Sequence, residues 1–463
     1  MNFSVQEIQK ISNARLISQP VTDELTITKV ITDSRENLKA EVFLAFVGER
    51  FDAHDFLDEV LEQSPAVLIV SKELSATLIA KANACSCRIL LVKDTLIAYQ
   101  EIAQANLKAH PECKVIAITG STGKTSVKSI IAQSLEDYFP EQILSTLGNT
   151  NNHIGLPQNL LRLNSKHKIA VLEMGTSSPN EISRLVEIAT PDIAILTGIG
   201  HSHIGNFPHF SELIKEKTDI FRSSNPSCIN IIHESVVEQI KTQADLSHLT
   251  THVYGESSHC DSQITYESST LNSSNFTITS NQEKYQIEDC SLSGRHQAIN
   301  VGAAVACLEA LNLSLEPLKQ SLKKLELPAG RMKIEAIKDF TFINDAYNAN
   351  PQSMAAALDW FAELKHEGRK VIIVGDMLEL GEHSQELHIN ITKQLSQKHF
   401  QDIIFFAVGP QSSQALKTIA DDCYTNSDKA AQNITKRLQK NDLILLKASR
   451  GIALEKIILA LQD

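Results

Sequence analysis

Short apolar runs alternate with helical patterns in the first part of the chain. Apolar runs at residues 41–47 and 66–70 have the length of buried strands, and residues 56–62 between them have helical spacing. This alternation is typical of α/β proteins. We therefore predict a small N-terminal α/β domain over residues 1–110.

The same alternation continues in the middle of the chain and predicts a second domain over residues 111–327. Apolar runs at residues 169–174 and 193–197 are separated by helical patterns, which indicates a parallel sheet with helical crossovers. Over residues 250–293 the composition shifts to Ser, Thr and Asn, with short alternating runs such as residues 276–279. Such alternation favours an antiparallel β insert over the alternative of a disordered linker.

A third block, residues 328–463, repeats the alternation and predicts a C-terminal Rossmann-like domain. Its apolar runs lie at residues 340–343, 370–374, 403–408 and 443–446. The block has no G-x-G-x-x-G sequence, so nothing indicates a dinucleotide cofactor. The expected fold class is α/β with three domains, in which a central P-loop ATPase domain with a parallel sheet carries the β insert.

A glycine-rich turn between an apolar strand and a helical stretch is the strongest chemical signal in the chain. Residues 115–126 read Val-Ile-Ala-Ile-Thr-Gly-Ser-Thr-Gly-Lys-Thr-Ser. Gly120 and Gly123 let backbone N–H groups approach an anion, while the helix N-terminus and Lys124 add positive charge. Thr125 offers a hydroxyl to Mg²⁺. The segment is interpreted as a shortened P-loop, and an ordinary strand–turn–helix corner is the alternative.

Composition excludes several classes of protein. The 463 residues carry a net charge of −12, so the chain offers no basic surface for nucleic acid. The N-terminus lacks a basic start followed by an apolar core, and no apolar run reaches about 18 residues, so we expect a cytoplasmic protein without membrane insertion. The eight cysteines are scattered, which favours reduced structural thiols over a zinc or disulfide framework.

Acidic and histidine side chains follow several predicted strands. Glu173 ends one apolar run, and a carboxylate there, beside the phosphate-loop strand, is well placed to hold Mg²⁺. His201 and His203 follow the run at residues 193–197, and Asp345 follows another. Each has a structural alternative: an acid in solvent, a hydrogen-bonding loop histidine, or a turn-forming Asn/Asp cluster.

Lys217 has an unusual place if residues 208–222 form a helix. A step of 100° per residue puts it in the middle of an apolar stripe. The stripe contains Phe210, Leu213, Ile214 and Phe221, whereas the residues that point away are Lys215, Glu216 and Asp219. A lysine that faces a core is costly unless it is paired, neutral or modified. Two explanations stay open: the ammonium reaches the surface along its stem, or the neutral amine reacts with CO₂ to form an anionic carbamate that binds Mg²⁺.

Together, and in this order, these residues resemble the cytoplasmic Mur ligases of peptidoglycan synthesis, and the resemblance covers almost the whole chain. Residues 120–126 resemble the family's G-T-x-G-K-T-[ST] loop, and residues 148–157 resemble its G-N-x-N-N-x-I-G-x-P segment. Glu173, His203 and Lys217 match the family's metal-binding glutamate, histidine and carbamylated lysine. The Mg²⁺ ligands implied by the resemblance are Thr125, Glu173, His203 and carbamylated Lys217.

The resemblance implies that the loop and three distant residues bind ATP. Gly294-Arg-His-Gln-Ala-Ile-Asn300 resembles the family's G-x-H-N-x-x-N, although Gln297 replaces an asparagine, and Asn300 falls on the adenine side. Arg331 and Asp345 resemble the arginine and aspartate that reach back over ATP. The implied ATP-binding residues are Gly120, Ser121, Thr122, Gly123, Lys124, Thr125, Ser126, Asn300, Arg331 and Asp345.

Segments of all three predicted domains resemble the family's substrate-binding segments. Thr32-Asp-Ser-Arg35 and the segment at residues 48–56 resemble those that hold the uridine end. Tyr347-Asn-Ala-Asn-Pro351 resembles the Y-N-A-N-P of the branch that adds D-alanyl-D-alanine, and the D-N-P-R of the diaminopimelate-adding branch is not found. The implied substrate-binding residues are Ser34, Arg35, Asn151, Asn152, Tyr347, Asn348 and Asn350.

The likeness continues in three further segments of the C-terminal block, namely residues 375–381, His388 and residues 447–450. Strand ends and turns are as good an interpretation of these segments as direct ligand contact.

The activity implied by the resemblance is ATP-dependent ligation of D-alanyl-D-alanine to UDP-N-acetylmuramoyl-tripeptide through an acyl phosphate. ATP and Mg²⁺ are the expected cofactors, and a monomer is the expected form. The residues that would manage the charge of the transferred phosphoryl group are Lys124, Glu173, His203 and Lys217. The third residue of the peptide, diaminopimelate or lysine, stays open.

Three rival hypotheses remain. Residues 347–351 argue against the neighbouring amino-acid-adding Mur ligase, and the uridine-like segments argue against a ligase of the folate-polyglutamate type. Retention of the charged residues argues against a non-catalytic nucleotide-binding protein.

Overall fold

The chain folds as two compact units. The computed structural model describes residues 1–19, 25–241 and 249–462. The first unit comprises Met1–Val115, Glu141–Met174 and Arg184–Pro191. The second comprises Ile116–Pro140, Gly175–Ser183 and Asp192–Asp463. The predicted α/β class is confirmed, and the predicted domain boundaries at residues 110 and 327 stay predictions.

A five-stranded sheet forms the centre of the first unit. Its strands lie in the order Arg15–Leu16, Arg88–Leu91, Val67–Val70, Val42–Leu44 and Val30–Ile31. All neighbours are parallel except the first pair. Val67 and Ile69 lie in one apolar core. Leu68 and Val70 lie in another, because successive side chains of a strand point to opposite faces. Burial on both faces explains the continuous apolar run in the sequence.

Helices and a short two-stranded sheet complete this part of the first unit. Residues of helices Val5–Ile11 and Thr95–Lys108 belong to the first core, and residues of Leu57–Glu62 and Ala76–Ala84 belong to the second. Strands Phe3–Ser4 and Thr26–Ile27 pair antiparallel.

The first unit also contains the predicted strand that ends at Glu173. Strands Ile143–Ser145 and Ile169–Glu173 are parallel, and helix Gly155–Leu160 lies between them in sequence. Glu173 is buried at the carboxyl end of its strand. The sequence therefore predicted both the strand and the terminal position of its carboxylate.

A mixed sheet of the second unit begins at the strand that precedes the phosphate loop. In order, the parallel strands are Lys114–Thr119, Ile193–Leu196, Ile229–His233, Thr251–Gly255 and Ser262–Ser269. Strands Ser274–Ser280 and Glu283–Cys290 continue antiparallel. The polar stretch after residue 250 is thus ordered β structure, so the linker alternative is wrong. The antiparallel prediction is correct only for its later part, because strands Thr251–Gly255 and Ser262–Ser269 extend the parallel sheet. The helices along this stretch of chain are Lys124–Leu135, Glu181–Ile188, Phe210–Thr218, Glu234–Lys241 and Arg295–Ala310.

A second, six-stranded sheet occupies the C-terminal part of the second unit. Its order is Lys333–Ile337, Phe340–Asp345, Leu443–Lys447, Lys370–Gly375, Ile403–Val408 and Asp422–Tyr424, with only the first pair antiparallel. The helices in this part are Leu318–Ser321, Pro351–Glu363, Ser384–Leu395, Pro410–Ala415, Ser427–Ile434 and Glu455–Gln462. Alternate residues of its central strands enter two apolar cores, as a doubly wound sheet requires. This confirms the four predicted strands.

Short 3₁₀ helices mark several loops of both units. They are Ala53–Phe56, Ile204–Asn206, Asp219–Phe221, Gly381–His383, Lys398–Phe400 and Arg450–Ile452.

Candidate active site

The phosphate loop has the glycine geometry that the sequence predicts. Gly120 and Gly123 have φ angles of +148° and +80°, a region that favours glycine. A Cβ on Gly120 would overlap the hydroxyl of Thr197, and one on Gly123 would lie 2.9 Å from Oδ1 of Asn300. Asn300, a predicted ATP-binding residue, therefore lies directly against the loop. Helix Lys124–Leu135 starts at the next residue and directs its N-terminus into the turn.

Two lysines converge on one carbonyl oxygen of this loop. Nζ of Lys124 donates to the oxygen of Gly120 at 2.7 Å, and Nζ of Lys217 donates to the same oxygen at 3.3 Å. Lys217 is only 1% exposed. Burial, and next the positive charge of Lys124, hold the pKa of Lys217 well below its ordinary value. Lys217 therefore does not reach the surface along its stem, and its uncharged form is favoured.

The helix that carries Lys217 is buried more widely than its apolar stripe predicts. Glu216 and Asp219 were expected to point away, yet both are buried. Glu216 accepts N–H bonds from Asn180 at 2.5 Å and Ile182 at 2.8 Å, at the start of the next helix upstream. Asp219 pairs with Arg222 at 2.8 Å. The stripe identified the lysine correctly, but helical periodicity does not reveal acids that cap other elements.

Arg331 reaches the phosphate loop from the C-terminal part of the second unit. Its Nη2 donates to the hydroxyl of Thr125 at 2.8 Å, and its guanidinium lies 4.7 Å from the ring centroid of Tyr347. The stacked ring fixes the planar guanidinium at low entropic cost. Two predicted ligand-binding residues, Arg331 and Tyr347, are thus brought together with the predicted magnesium ligand Thr125.

Asp345 is held by a buried lysine. Nζ of Lys447 lies 2.8 Å from Oδ2 of Asp345 and donates to the carbonyl oxygen of Asn348 at 2.7 Å. Oδ1 of Asp345 accepts the backbone N–H of Met332 at 3.2 Å. Lys447 therefore fixes the loop that follows strand Phe340–Asp345, a positional role that the sequence left open.

Asn350 joins the same loop to the phosphate loop. Its Oδ1 accepts the N–H of Ser353 at 2.9 Å and caps helix Pro351–Glu363. Its Nδ2 donates to the hydroxyl of Ser202 at 2.7 Å and to the carbonyl of Ser121 at 3.3 Å. The Asn-Pro pair carried a readable signal for a helix start, because Asn is favoured at N-caps and Pro at the first helical position. Ser202, which links the two loops, was missed because nothing in its sequence context marks it.

Replacing Asn350 with alanine is expected to lower the free energy of unfolding by about 2 kcal/mol, because a cap and a buried bridge are lost together. Thermal or urea unfolding measures this change. Asn348→Ala is the matched control, since Asn348 is exposed in the same loop, and its effect should stay within about 0.5 kcal/mol. Equal stability of the two variants would contradict the bridging role of Asn350.

The two loop histidines have different environments. His203 has φ +61°, and its Nδ1 lies 2.6 Å from a carboxylate oxygen of Glu379. His201 stacks on Phe210 with a centroid distance of 5.0 Å, and burial lowers its pKa. His201 therefore fits the structural alternative, while the ligand role of His203 stays a prediction.

Glu173 lies beside a predicted substrate residue in the first unit. Nδ2 of Asn151 donates to Oε1 of Glu173 at 2.8 Å. Asn152 instead holds the turn before helix Gly155–Leu160, since its Oδ1 accepts the N–H of Gly155 at 2.9 Å. Of the two predicted asparagines, Asn151 is the one whose side chain faces the carboxylate.

The segment at residues 32–35, which is predicted to bind the uridine end of the substrate, contains an ion pair between two of its own residues. Arg35 is exposed and donates twice to the carboxylate of Asp33, at 2.8 and 2.6 Å. These hydrogen bonds lower the pKa of Asp33 to about 2. The carbonyl of Ser34 accepts an N–H bond from Gln63 at 2.9 Å. The roles of Ser34 and Arg35 toward a nucleotide stay predictions.

Asp376 and His388, in the C-terminal segments that resemble the family, form hydrogen bonds with nearby loop and helix residues. Oδ1 of Asp376 accepts the N–H of Ser412 at 2.7 Å at the start of helix Pro410–Ala415. His388 accepts the N–H of Met377 at 3.0 Å and contacts the carbonyl of Ser384 at 2.7 Å. Both side chains therefore organise the loop after strand Lys370–Gly375.

The described residues contain neither a cluster of metal-ligating side chains nor a helix that could span a membrane. In residues 1–19, 25–241 and 249–462, no three His, Cys, Asp or Glu side chains converge as a metal site. Within those same ranges, no helix combines the length and apolar character needed to cross a bilayer.

Comparison with known proteins agrees with this site. Residues 118–308 match the Mur ligase middle domain, and residues 330–450 match the Mur ligase, glutamate ligase domain. The UDP-N-acetylmuramoyl-tripeptide--D-alanyl-D-alanine ligase of Bacillus subtilis (strain 168) is 32% identical, over 96% of this chain and 94% of that protein. The ligase of the same name from Escherichia coli (strain K12) is 31% identical, over 95% of each.

Solved structures show the same relationship. The crystal structure of MurF from Acinetobacter baumannii superposes with a TM-score of 0.88 at 28% identity, covering 100% of this chain and 99% of that one. The similarity therefore spans the phosphate loop, the helix that carries Lys217 and the C-terminal sheet. On these similarities of sequence and structure, the chain belongs to the Mur ligase family.

Proposed function

We propose that the chain ligates D-alanyl-D-alanine to UDP-N-acetylmuramoyl-tripeptide, with ATP as the energy source, in the synthesis of peptidoglycan precursors. The two bacterial relatives carry this activity in their names, and the similarity covers at least 94% of each. The structural observation that carries the proposal is the convergence of Lys124 and Lys217 on the carbonyl of Gly120. A glycine loop that holds the charged Lys124 at a helix N-terminus suits a polyphosphate, and the buried amine of Lys217 beside it suits the carbamate described below.

The first proposed step activates the carboxylate of the peptide, which is a poor electrophile. A carboxylate oxygen attacks the γ-phosphorus of ATP, the bond from that phosphorus to the bridging oxygen breaks, and ADP leaves with the electron pair. The product is an acyl phosphate. Because two anions meet in this step, Lys124 and the backbone N–H groups of the loop stabilise the charge that develops.

The second proposed step forms the amide. The amine of D-alanyl-D-alanine attacks the acyl carbon, the carbon–oxygen bond to phosphate breaks, and the nitrogen loses a proton. In this proposal Arg331 binds phosphate oxygens during both steps, and its contacts with Thr125 and the ring of Tyr347 support that role. Exclusion of water at this stage protects the acyl phosphate from hydrolysis.

The residues present fit Mg²⁺. The fit depends on Lys217, whose buried amine and lowered pKa favour the neutral form that reacts with CO₂. The amine nitrogen bonds to the carbon of CO₂ and loses a proton, which leaves an anionic carbamate with oxygen ligands. When bound, Mg²⁺ supplies positive charge to the phosphates. The proposed ligands are Thr125, Glu173, His203 and carbamylated Lys217.

The remaining assignments follow from the same family relationship. The proposed substrate-binding residues are Ser34, Arg35, Asn151, Asn152, Tyr347, Asn348 and Asn350, of which Asn350 also has the structural role described above. The proposed location is the cytoplasm, and the proposed active form is a monomer.

D-alanyl-D-alanine is expected to be the only efficient amine substrate among the candidates, because residues 347–351 match the dipeptide-adding branch. Phosphate release is measured with ATP, Mg²⁺, the UDP-muramoyl tripeptide and one amine at a time. Free diaminopimelate and free lysine should release no phosphate above background. Efficient turnover with either amino acid would assign the chain to the neighbouring branch of the family.

A further inference from the structure

A second contact of His203 lies outside the machinery described so far. Nδ1 of His203 and Oε2 of Glu379 are 2.6 Å apart, and Glu379 follows strand Lys370–Gly375 in the C-terminal sheet. The two residues are far apart in sequence, so their contact depends on the tertiary structure.

The backbone conformations of the two segments around His203 and Glu379 allow this contact. His203 and Glu379 have φ angles of +61° and +64°, a left-handed conformation that residues other than glycine seldom adopt. The N–H of Gly205 donates to the carbonyl of Glu379 at 3.2 Å. A Cβ on Gly205 would lie 2.6 Å from the nitrogen of Gly381, and one on Gly381 would lie 2.7 Å from Cα of Gly205. The two segments therefore meet only because glycine stands on both sides.

The carboxylate of Glu379 influences which nitrogen of the His203 ring carries the proton. A carboxylate oxygen 2.6 Å from Nδ1 repels the lone pair of an unprotonated Nδ1, so it favours the proton on that nitrogen and leaves the lone pair of the neutral ring on Nε2. Carboxylates that hold a histidine in this way orient metal-ligating imidazoles and raise their basicity.

We propose that Glu379 is a positioning residue, which holds His203 in the tautomer and orientation that present Nε2 to a divalent cation. The proposal rests on the role of His203 given under the proposed function. The orientation of a cation ligand then depends on a residue of the C-terminal sheet region. The segment at residues 375–381 affects cation binding through His203 and does not itself contact the cation.

The test compares Glu379→Ala with Glu382→Ala, which removes the same charge from the same exposed segment. The side chain of Glu379 is 59% exposed, so its removal leaves the apolar cores intact. The first readout is the ¹⁵N spectrum of histidine-labelled protein without metal, with the His203 signals assigned by a His203→Asn variant. The second is the binding of Mn²⁺ in the presence of ADP, measured by electron paramagnetic resonance.

We expect Glu379→Ala to lose the Nδ1-protonated form of His203 and to weaken Mn²⁺ binding about tenfold or more, while Glu382→Ala matches the parent. Persistence of the Nδ1-protonated form in Glu379→Ala, or Mn²⁺ affinity equal to that of Glu382→Ala, would overturn the proposal. Both readouts are independent of turnover. An inactive parent whose Mn²⁺ binding still depends on Glu379 would refute the proposed function and support this inference.

Discussion

The Lys124→Ala variant is expected to lose ligase activity by about a thousandfold or more while it stays folded. Lys124 donates to the carbonyl of Gly120 at the point where the loop and the helix N-terminus face an anion. Removal of one preorganised charge from a phosphoryl-transfer site costs this much in other enzymes, which corresponds to about 4 kcal/mol in the activation free energy.

Two measurements separate a chemical effect from a structural one. The turnover rate with saturating ATP and peptide substrates reports the chemistry, and the melting curve reports the fold. Lys108→Ala, at an exposed helix position, is a control for the loss of a surface charge. If Lys124→Ala turned over normally with an unchanged melting curve, the assignment of the phosphate loop would be wrong.

Lys217→Ala is also expected to lose most activity, and a small carboxylic acid should restore part of it. The reason is that alanine removes the site of the carbamate, whereas acetate can place a carboxylate in the vacated space. Chloride at the same ionic strength should restore nothing. Lys215→Ala is the matched control, because Lys215 is exposed on the same helix two residues away.

A charge-conserving substitution tests the carbamate more sharply. Lys217→Arg keeps a positive charge but cannot form an anionic carbamate, so it should be as inactive as Lys217→Ala and should not respond to acetate. An active arginine variant would show that Lys217 acts as a cation. Full activity of Lys217→Ala would show that the residue has no part in the chemistry.

The sequence predicted those parts of the site that depend on local pattern. Glu173 follows a buried strand, and Lys217 falls at the centre of an apolar stripe, so strand and helix periods were sufficient to find them. The β insert was predicted from alternation, but its continuity with the parallel sheet was not, because strand pairing depends on contacts that are distant along the chain.

Long-range partners could not be predicted for the same physical reason. Glu379 contacts His203, and Asn350 contacts Ser202, only after two loops come together. Helical periodicity predicts that Glu216 faces away from the core. It gives no sign that the start of a neighbouring helix supplies N–H groups that this carboxylate accepts. In each case the missing information is tertiary rather than local.

The fate of a labelled oxygen tests the central claim most directly. The UDP-muramoyl tripeptide is prepared with oxygen-18 in its terminal carboxylate and incubated with the protein, ATP, Mg²⁺ and D-alanyl-D-alanine, and the products are identified by mass. The proposed acyl phosphate predicts a pentapeptide product, ADP, and inorganic phosphate that carries oxygen-18 from the carboxylate. Unlabelled phosphate beside the ligated product, or label recovered in AMP, would contradict the account.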